Sequence, residues 1–155
     1  MKANRRDVMW LFLGCGAMFA SSGARADALP PMVVYRDPTC GCCHKWVEHM
    51  RANGFDVSVK DGVQLKALKA KLGVPAELTS CHTGEIAGYV IEGHVPADAV
   101  KRLLAEKPQA RGLAVAGMPI GSPGMEGPDP EIYDVMLFGG EEPTRYGRYR
   151  EDKAV

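Results

Sequence analysis

Cys40, Cys42 and Cys43 crowd into four residues, as Cys40-Gly41-Cys42-Cys43-His44, and a fourth cysteine, Cys81, stands directly before His82. Three sulfurs this close along one backbone cannot all pair with each other, so a framework of structural staples accounts for them poorly. Whatever the chain folds into must present that trio on one turn and find a use for the thiol that pairing leaves over. Cys81 is the natural further partner, because the fifth cysteine, Cys15, lies in a segment that reads as an export signal.

That signal is legible in its parts. Lys2, Arg5 and Arg6 make a basic start, Val8 to Ala20 is an apolar run of 13 residues, and Ala24-Arg25-Ala26 offers small residues where a signal peptidase reads them. The run is short of the roughly 20 apolar residues a permanent span needs, so no stable membrane anchor is expected. The Arg5-Arg6 pair leaves a twin-arginine route open beside the general one. Cleavage after Ala26 defines residues 1–26 as the signal and 27–155 as one domain, with 15 basic and 18 acidic residues. A net charge of −3 offers no stripe for phosphates, so nucleic acid is not an expected partner. The destination is an oxidising compartment, in which idle thiols tend to become disulfides. A thiol cluster there is expected to be metal-loaded, redox-active or both.

The mature chain alternates strand and helix signals. Met32 to Tyr35 predicts a strand, Asp37-Pro38-Thr39 breaks it, and Trp46, Val47 and Met50 follow helical spacing from Cys43 until Asn53-Gly54. Phe55 to Lys60 alternates as a second strand. A helix carrying Leu65, Leu68 and Leu72 follows, closed by Gly73 ahead of Pro75. Ile86 to Glu92 reads as a third strand, and Pro96 opens a helix with Val100, Leu103 and Leu104. A short strand is expected at Leu113 to Val115. Residues 117–130 hold four Gly and four Pro, too many for a regular element, and Tyr133 to Phe138 with Thr144 to Tyr149 reads as a hairpin. The sum is an α/β domain, a thioredoxin-like β-α-β-α-β-α core with an added C-terminal β-hairpin.

In that frame the trio lies where a strand runs into a helix N-terminus. Free N–H groups and the helix dipole there favour negative charge, which lowers thiol pKa and makes better nucleophiles and soft-metal ligands. Cys40 and Cys43 form a C-x-x-C pair able to share one metal or close one disulfide. Cys42 is surplus to such a pair, which favours thiolates bridging several metal ions. Several chemistries remain open on the residues alone: dithiol–disulfide exchange, copper as Cu(I), zinc held by four thiolates, a purely structural disulfide, and c-type haem. Haem enters because Cys40 to His44 satisfies C-x-x-C-H, with Met118 or Met125 as far ligand. In a thioredoxin-like fold the loop before the third strand faces the C-x-x-C turn and normally carries a cis-proline. Here it is Thr79-Ser80-Cys81-His82-Thr83, so a fourth thiol is expected where the proline would stand, which favours metal over ordinary disulfide exchange.

Around the four cysteines stand weaker candidates. His44 and His82 adjoin them and are possible ligands or near-site groups. Met118 and Met125 lie in the Gly/Pro-rich loop without an obvious core element to fill, which leaves a copper-ligand or delivery role open beside packing. His49 reads as a solvated residue on the polar helix face, His94 as a loop or capping residue, Trp46 as helix packing, and Met50 and Met136 as core.

Longer motifs carry a resemblance. Val34-Tyr35, Pro38-Thr39-Cys40-Gly41-Cys42-Cys43, Trp46-Val47, Asn53-Gly54-Phe55, Lys71-Leu72-Gly73-Val74-Pro75, Ser80-Cys81-His82-Thr83, Tyr89 to Pro96, Gly112-Leu113-Ala114-Val115 and Gly117-Met118-Pro119 through Gly121-Ser122-Pro123-Gly124-Met125-Glu126 resemble the copper-resistance protein CopG family over roughly residues 32–150. The resemblance implies a periplasmic thioredoxin-like protein encoded among copper-resistance genes. It implies a thiolate-bridged multinuclear copper cluster whose ligands match Cys40, Cys42, Cys43 and Cys81, and an oxidoreductase role cycling copper between Cu(I) and Cu(II). Copper ions, and other periplasmic copper-handling proteins, are the partners this implies. The rival from another class is a thiol–disulfide oxidoreductase of thioredoxin type acting on protein disulfides, with Cys40 attacking and Cys43 resolving.

Overall fold

The computed structural model describes residues 28–155; residues 1–26, expected as an export signal, and Cys15 among them lie outside the described residues. The described residues build one mixed sheet of eight strands and three α-helices. Strand β1 (Met32–Arg36) leads into α1 (Gly41–Ala52), β2 (Val57–Asp61), α2 (Leu65–Leu72) and a single 3₁₀ turn at Ala76–Leu78. Then come β3 (Thr83–Ile86), β4 (Tyr89–Glu92), α3 (Ala97–Glu106), β5 (Gly112–Ala114), β6 (Ile132–Phe138), β7 (Thr144–Arg150) and β8 (Lys153–Ala154). The sheet order is β2-β1-β3-β4-β5-β6-β7-β8, with β1–β2 and β4–β5 parallel and the other neighbours antiparallel.

The two-residue period of the strands sends side chains to two apolar layers. Met32, Val34, Ile86, Ile91, Leu113 and Val135 pack with Trp46, Val47 and Met50 of α1 and with Val100 and Leu103 of α3. Their alternates Val90, Ala114 and Phe138 pack with Leu72, Val74 and Leu78. Helices α1 and α3 therefore cover one face and α2 the other. Met50 is fully buried, while Met136 is only partly covered against the second cluster.

The run read as one strand, Ile86 to Glu92, is instead the end of β3, a two-residue turn and the whole of β4. Ala87 and Gly88 turn it with φ of 49° and 85°, two left-handed residues that match the twist of the strands on either side. The sequence cue is weak because alanine stands where Asn or Asp usually marks such a turn. The pairing sets Thr83 opposite Glu92. It therefore brings the segment before β3, with Cys81 and His82, alongside the segment after β4, with Gly93 and His94.

A polar knot holds that corner. Glu92 is fully buried; its carboxylate accepts from the Ser80 N–H at 2.7 Å, from Thr83 Oγ1 at 2.6 Å and from Lys69 Nζ at 2.5 Å. Lys69 belongs to α2 and is buried too, and it also donates to Thr83 Oγ1 at 2.8 Å. Gly93 must be glycine: with φ of 71°, an added Cβ would lie 2.6 Å from both the Ser80 side chain and the Val115 carbonyl. Removing one partner of a buried ion pair leaves the other charge stranded, which costs about 3–5 kcal/mol. Lys69→Met is expected to lower the urea midpoint by a corresponding amount. Lys66→Met, an exposed position one turn earlier, is expected to cost less than about 0.5 kcal/mol.

Candidate metal centre

Helix α1 begins on the cysteine turn. Asp37 accepts from the Thr39 backbone N–H at 2.8 Å and so shapes the exit from β1. Cys40 is the extended N-cap residue, and its sulfur accepts from the Cys43 N–H at 3.3 Å. This takes the place of the oxygen cap usual at a helix start and draws three sulfurs onto the first turn.

Cys81 meets them there. Cys42 Sγ lies 3.4 Å from Cys40 Sγ and 3.8 Å from Cys81 Sγ, and the four sulfurs all fall within 4.8 Å of one another. Cys40 and Cys43 are joined as a disulfide, which leaves Cys42 and Cys81 as free thiols. Both sulfurs that could take a c-type haem across C-x-x-C-H are thus engaged with each other. Cys43 is buried, while Cys40, Cys42 and Cys81 are partly open.

A second donor group shares Cys81. Its sulfur lies 3.1 Å from His94 Nε2 and 3.3 Å from His82 Nδ1, and these three atoms also fall within 4.8 Å of one another. Both imidazoles are fully buried. His82 packs its ring 4.4 Å from the Trp46 ring, centroid to centroid, and 5.0 Å from the His94 ring. Trp46 is held in turn by donating to the Val95 carbonyl at 2.9 Å. Burial pushes the pKa of both histidines down, His82 further than His94, so both are neutral and each offers one nitrogen lone pair. His94, expected as a loop or capping residue, does lie in the β4–α3 connection, and it is buried there against the Cys81 sulfur. The missed signal is the hairpin, for a single strand over 86–92 hides the fact that 93–94 must face 81–82.

The other candidates are placed less centrally. His44 is exposed, with its Nε2 3.1 Å from the Pro38 carbonyl, and belongs to neither donor group. Met118 is 51% exposed. It follows Gly117, whose carbonyl accepts from Ser80 Oγ at 2.5 Å, so its backbone runs beside the Cys81 loop. Met125 is half-buried and lines a hollow of about 470 Å³ with Gly41, Cys42, Lys45 and Ile120. Gly124 lets that loop press on α1: at φ of 90°, a Cβ there would sit 2.6 Å from the Cys42 carbonyl. His49 is half-buried rather than solvated, and its Nε2 accepts from the Ala97 N–H at 3.1 Å, capping the start of α3.

Comparison with known proteins bears on this site directly. A family model described as a protein of unknown function, DUF411, matches residues 78–125. No curated protein matches the chain. Two solved structures, titled copper resistance protein CopG, form 2 and form 1, are each 41% identical to it. They superpose with TM-scores of 0.74 and 0.73, over 78% of this chain and 98% of theirs. The chain belongs to the CopG family. The mixed α/β sheet and the cysteine cluster are thus read here on a member of that family, and the matched segment from Leu78 to Met125 spans Cys81, His82, His94 and the Gly/Pro-rich loop.

The helix-start argument for thiolates does not reach Cys81, which lies off the helix. Burial, reinforced by the neighbouring Cys42 thiol, pushes its pKa from an ordinary 9.0 up to about 12. Folding therefore favours the protonated thiol. That contribution is whole below the ordinary value and is lost as pH rises toward 12. Between about pH 8 and 10.5, the parent is expected to lose more stability than Cys81→Ser, read from urea midpoints. Equal losses in the two proteins would contradict that protonation state.

Proposed function

We propose that this chain is a periplasmic copper-binding protein of copper resistance, holding Cu(I) on Cys40, Cys42, Cys43 and Cys81. The observation that carries the reading is the approach of Cys81 to the sulfurs that open α1, because four sulfurs within 4.8 Å make a donor set suited to a soft ion. Shared thiolates bridge several Cu(I) ions in this reading, with Met118 and Met125 on the path of ions in or out. The relatives' name as copper resistance proteins supports it. The order β2-β1-β3-β4 followed by α3 supports a thioredoxin-like core, to which β6 and β7 add a C-terminal hairpin. Residues 1–26 act as a removed export signal and 27–155 as the copper-binding domain. Among the described residues no helix is long and apolar enough to cross a membrane. Copper ions and other periplasmic copper-handling proteins are the partners in this reading.

The closed Cys40–Cys43 bond adds a redox reading. Two thiols that become one disulfide release two electrons and two protons, enough to reduce two Cu(II) to Cu(I); an external thiol reductant must reopen the bond before the four-sulfur site can fill again. The same bond is what favours the second reading, a thioredoxin-type oxidoreductase acting on protein disulfides. Anaerobic titration of the reduced mature protein separates them. Uptake of several Cu(I) ions is expected, with lower stoichiometry in Cys42→Ser and in Cys81→Ser. Rapid reduction of insulin disulfides by copper-free protein and both variants, with no more Cu(I) held than by a generic dithiol, would favour the oxidoreductase.

A further inference from the structure

The Cys40–Cys43 bond has to be reopened by a thiol, and the Gly/Pro-rich loop offers that reductant a place to dock. We propose that Met118, Ile120, Met125 and Pro128 form an apolar collar beside the cysteine turn, and that its occupant is an extended segment of a partner protein carrying a dithiol, which delivers electrons to Cys40. The inference rests on the redox reading above and names the class of reductant which that reading requires.

Three observations carry this. The first is exposure. Among the described residues five large apolar side chains stand exposed, and Met118 and Ile120 are two of them, one residue apart. Gly117, just before Met118, is tied to the Cys81 loop by the Ser80 hydroxyl, and Ile120 shares with Cys42, Met125 and Pro128 the hollow of about 470 Å³. An apolar patch beside a reactive group marks a surface that another molecule covers. The second is rigidity. The Ile120 N–H donates to Glu131 Oε1 at 3.0 Å, and its carbonyl accepts from the Glu131 N–H at 2.9 Å. The turn after it is closed by the Gly121 N–H on the Met125 carbonyl at 2.8 Å and the Met125 N–H on the Ser122 carbonyl at 2.7 Å. A side chain held out to water by a pinned backbone is preorganised, which lowers the cost of binding. The third is access. Cys43 is fully buried while Cys40 is partly open, so an incoming thiolate meets Cys40 first. On the rim Lys45 Nζ lies 3.7 Å from Glu126 Oε2. One charge of each sign leaves apolar contact, rather than net charge, to select the occupant. A small hydrophilic thiol has nothing to set against such a collar, whereas a protein segment has.

The exchange balances within the pair. A partner thiolate attacks Cys40 Sγ, the Cys40–Cys43 bond breaks, and Cys43 leaves as a thiolate that takes up a proton. The partner's second thiolate then attacks the partner sulfur of the mixed disulfide and releases Cys40. Two electrons and two protons leave the partner, which becomes a disulfide, and Cys40 and Cys43 become thiols. The Cys43 N–H, which donates to Cys40 Sγ at 3.3 Å, and the start of α1 both favour Cys40 as the departing thiolate.

Two peptide dithiols are the probe, both carrying a C-x-x-C pair, one flanked by Phe and Leu and the other by Ser at the same positions. The mature protein in its disulfide form is mixed anaerobically with each, and free thiols per chain are counted as they rise from two to four. Relative to its rate with cystine, the apolar peptide is expected to open the bond at least about tenfold faster than the Ser peptide. Ile120→Asp is expected to remove most of that advantage, while dithiothreitol opens parent and variant equally fast. Where Ile120→Asp fails to fold, Ile120→Thr carries the comparison, with a smaller loss in the same direction. Acid quenching during the reaction is expected to catch peptide on Cys40. Equal relative rates for the two peptides, or an Ile120 variant that keeps the full advantage, would overturn the docking surface; peptide caught on Cys43 would overturn the order of attack. Cu(I) uptake by the chemically reduced parent is measured alongside. Full uptake with no preference between peptides sinks this inference alone, and a preference without Cu(I) uptake sinks the cluster alone.

Discussion

The Glu92 carboxylate organises the functional end of this molecule. It sits at the last residue of β4, out of water, and gathers the Ser80 N–H, the Thr83 hydroxyl and the Lys69 ammonium around its two oxygens. Two of those donors bracket Cys81 in sequence, so the loop that carries the thiol is tied down on either side. Lys69 comes from α2, on the other face of the sheet, and neutralises a charge that could not otherwise remain buried. A loop of small polar residues has few apolar contacts with which to order itself. Hydrogen bonds to a desolvated carboxylate do that work instead, and they fix where the Cys81 sulfur lies relative to α1.

From that fixed sulfur the site grades from one chemistry to another. Toward α1 the neighbours are sulfurs; toward the sheet and the β4–α3 connection they are imidazoles walled by Trp46. Sulfur donors are polarisable and suit a monovalent soft ion, while neutral imidazole serves divalent ions better. Burial disfavours charge on both the histidines and the Cys81 thiol, so the ligands wait in neutral form. In the proposed function a cation displaces the thiol proton, while the neutral imidazoles have none to lose.

How much of this was legible in the sequence varies with the kind of signal involved. The C-x-C-C turn at a strand-to-helix junction was readable, because Asp37-Pro38-Thr39 marks the break and Trp46, Val47 and Met50 mark the buried helix face. The approach of Cys81 was readable too, from where its loop falls in the order of elements. His94 was hidden behind a local error: the seven residues from Ile86 to Glu92 looked like one strand, and the Ala87-Gly88 turn lacks the usual Asn or Asp. Lys69 was hidden for another reason. A lysine in a Lys-rich helix looks solvated, and only the tertiary position of Glu92, twenty-three residues further along the chain at the end of β4, gives it a buried partner. His49 similarly lies on a polar helix face by periodicity, yet α3 starts against it. Periodicity reports which face is apolar; it is silent on which polar groups meet across elements.

The central claim is that Cys81 shares a coordination sphere with the sulfurs that open α1. Copper K-edge absorption of the reduced, Cu(I)-loaded mature protein tests it most directly. A first shell of sulfur accompanied by copper–copper scattering is the expected result, since shared thiolates hold neighbouring ions close together. A lone two-sulfur copper with no metal–metal scattering would mean that the helix turn binds by itself, and would contradict the account.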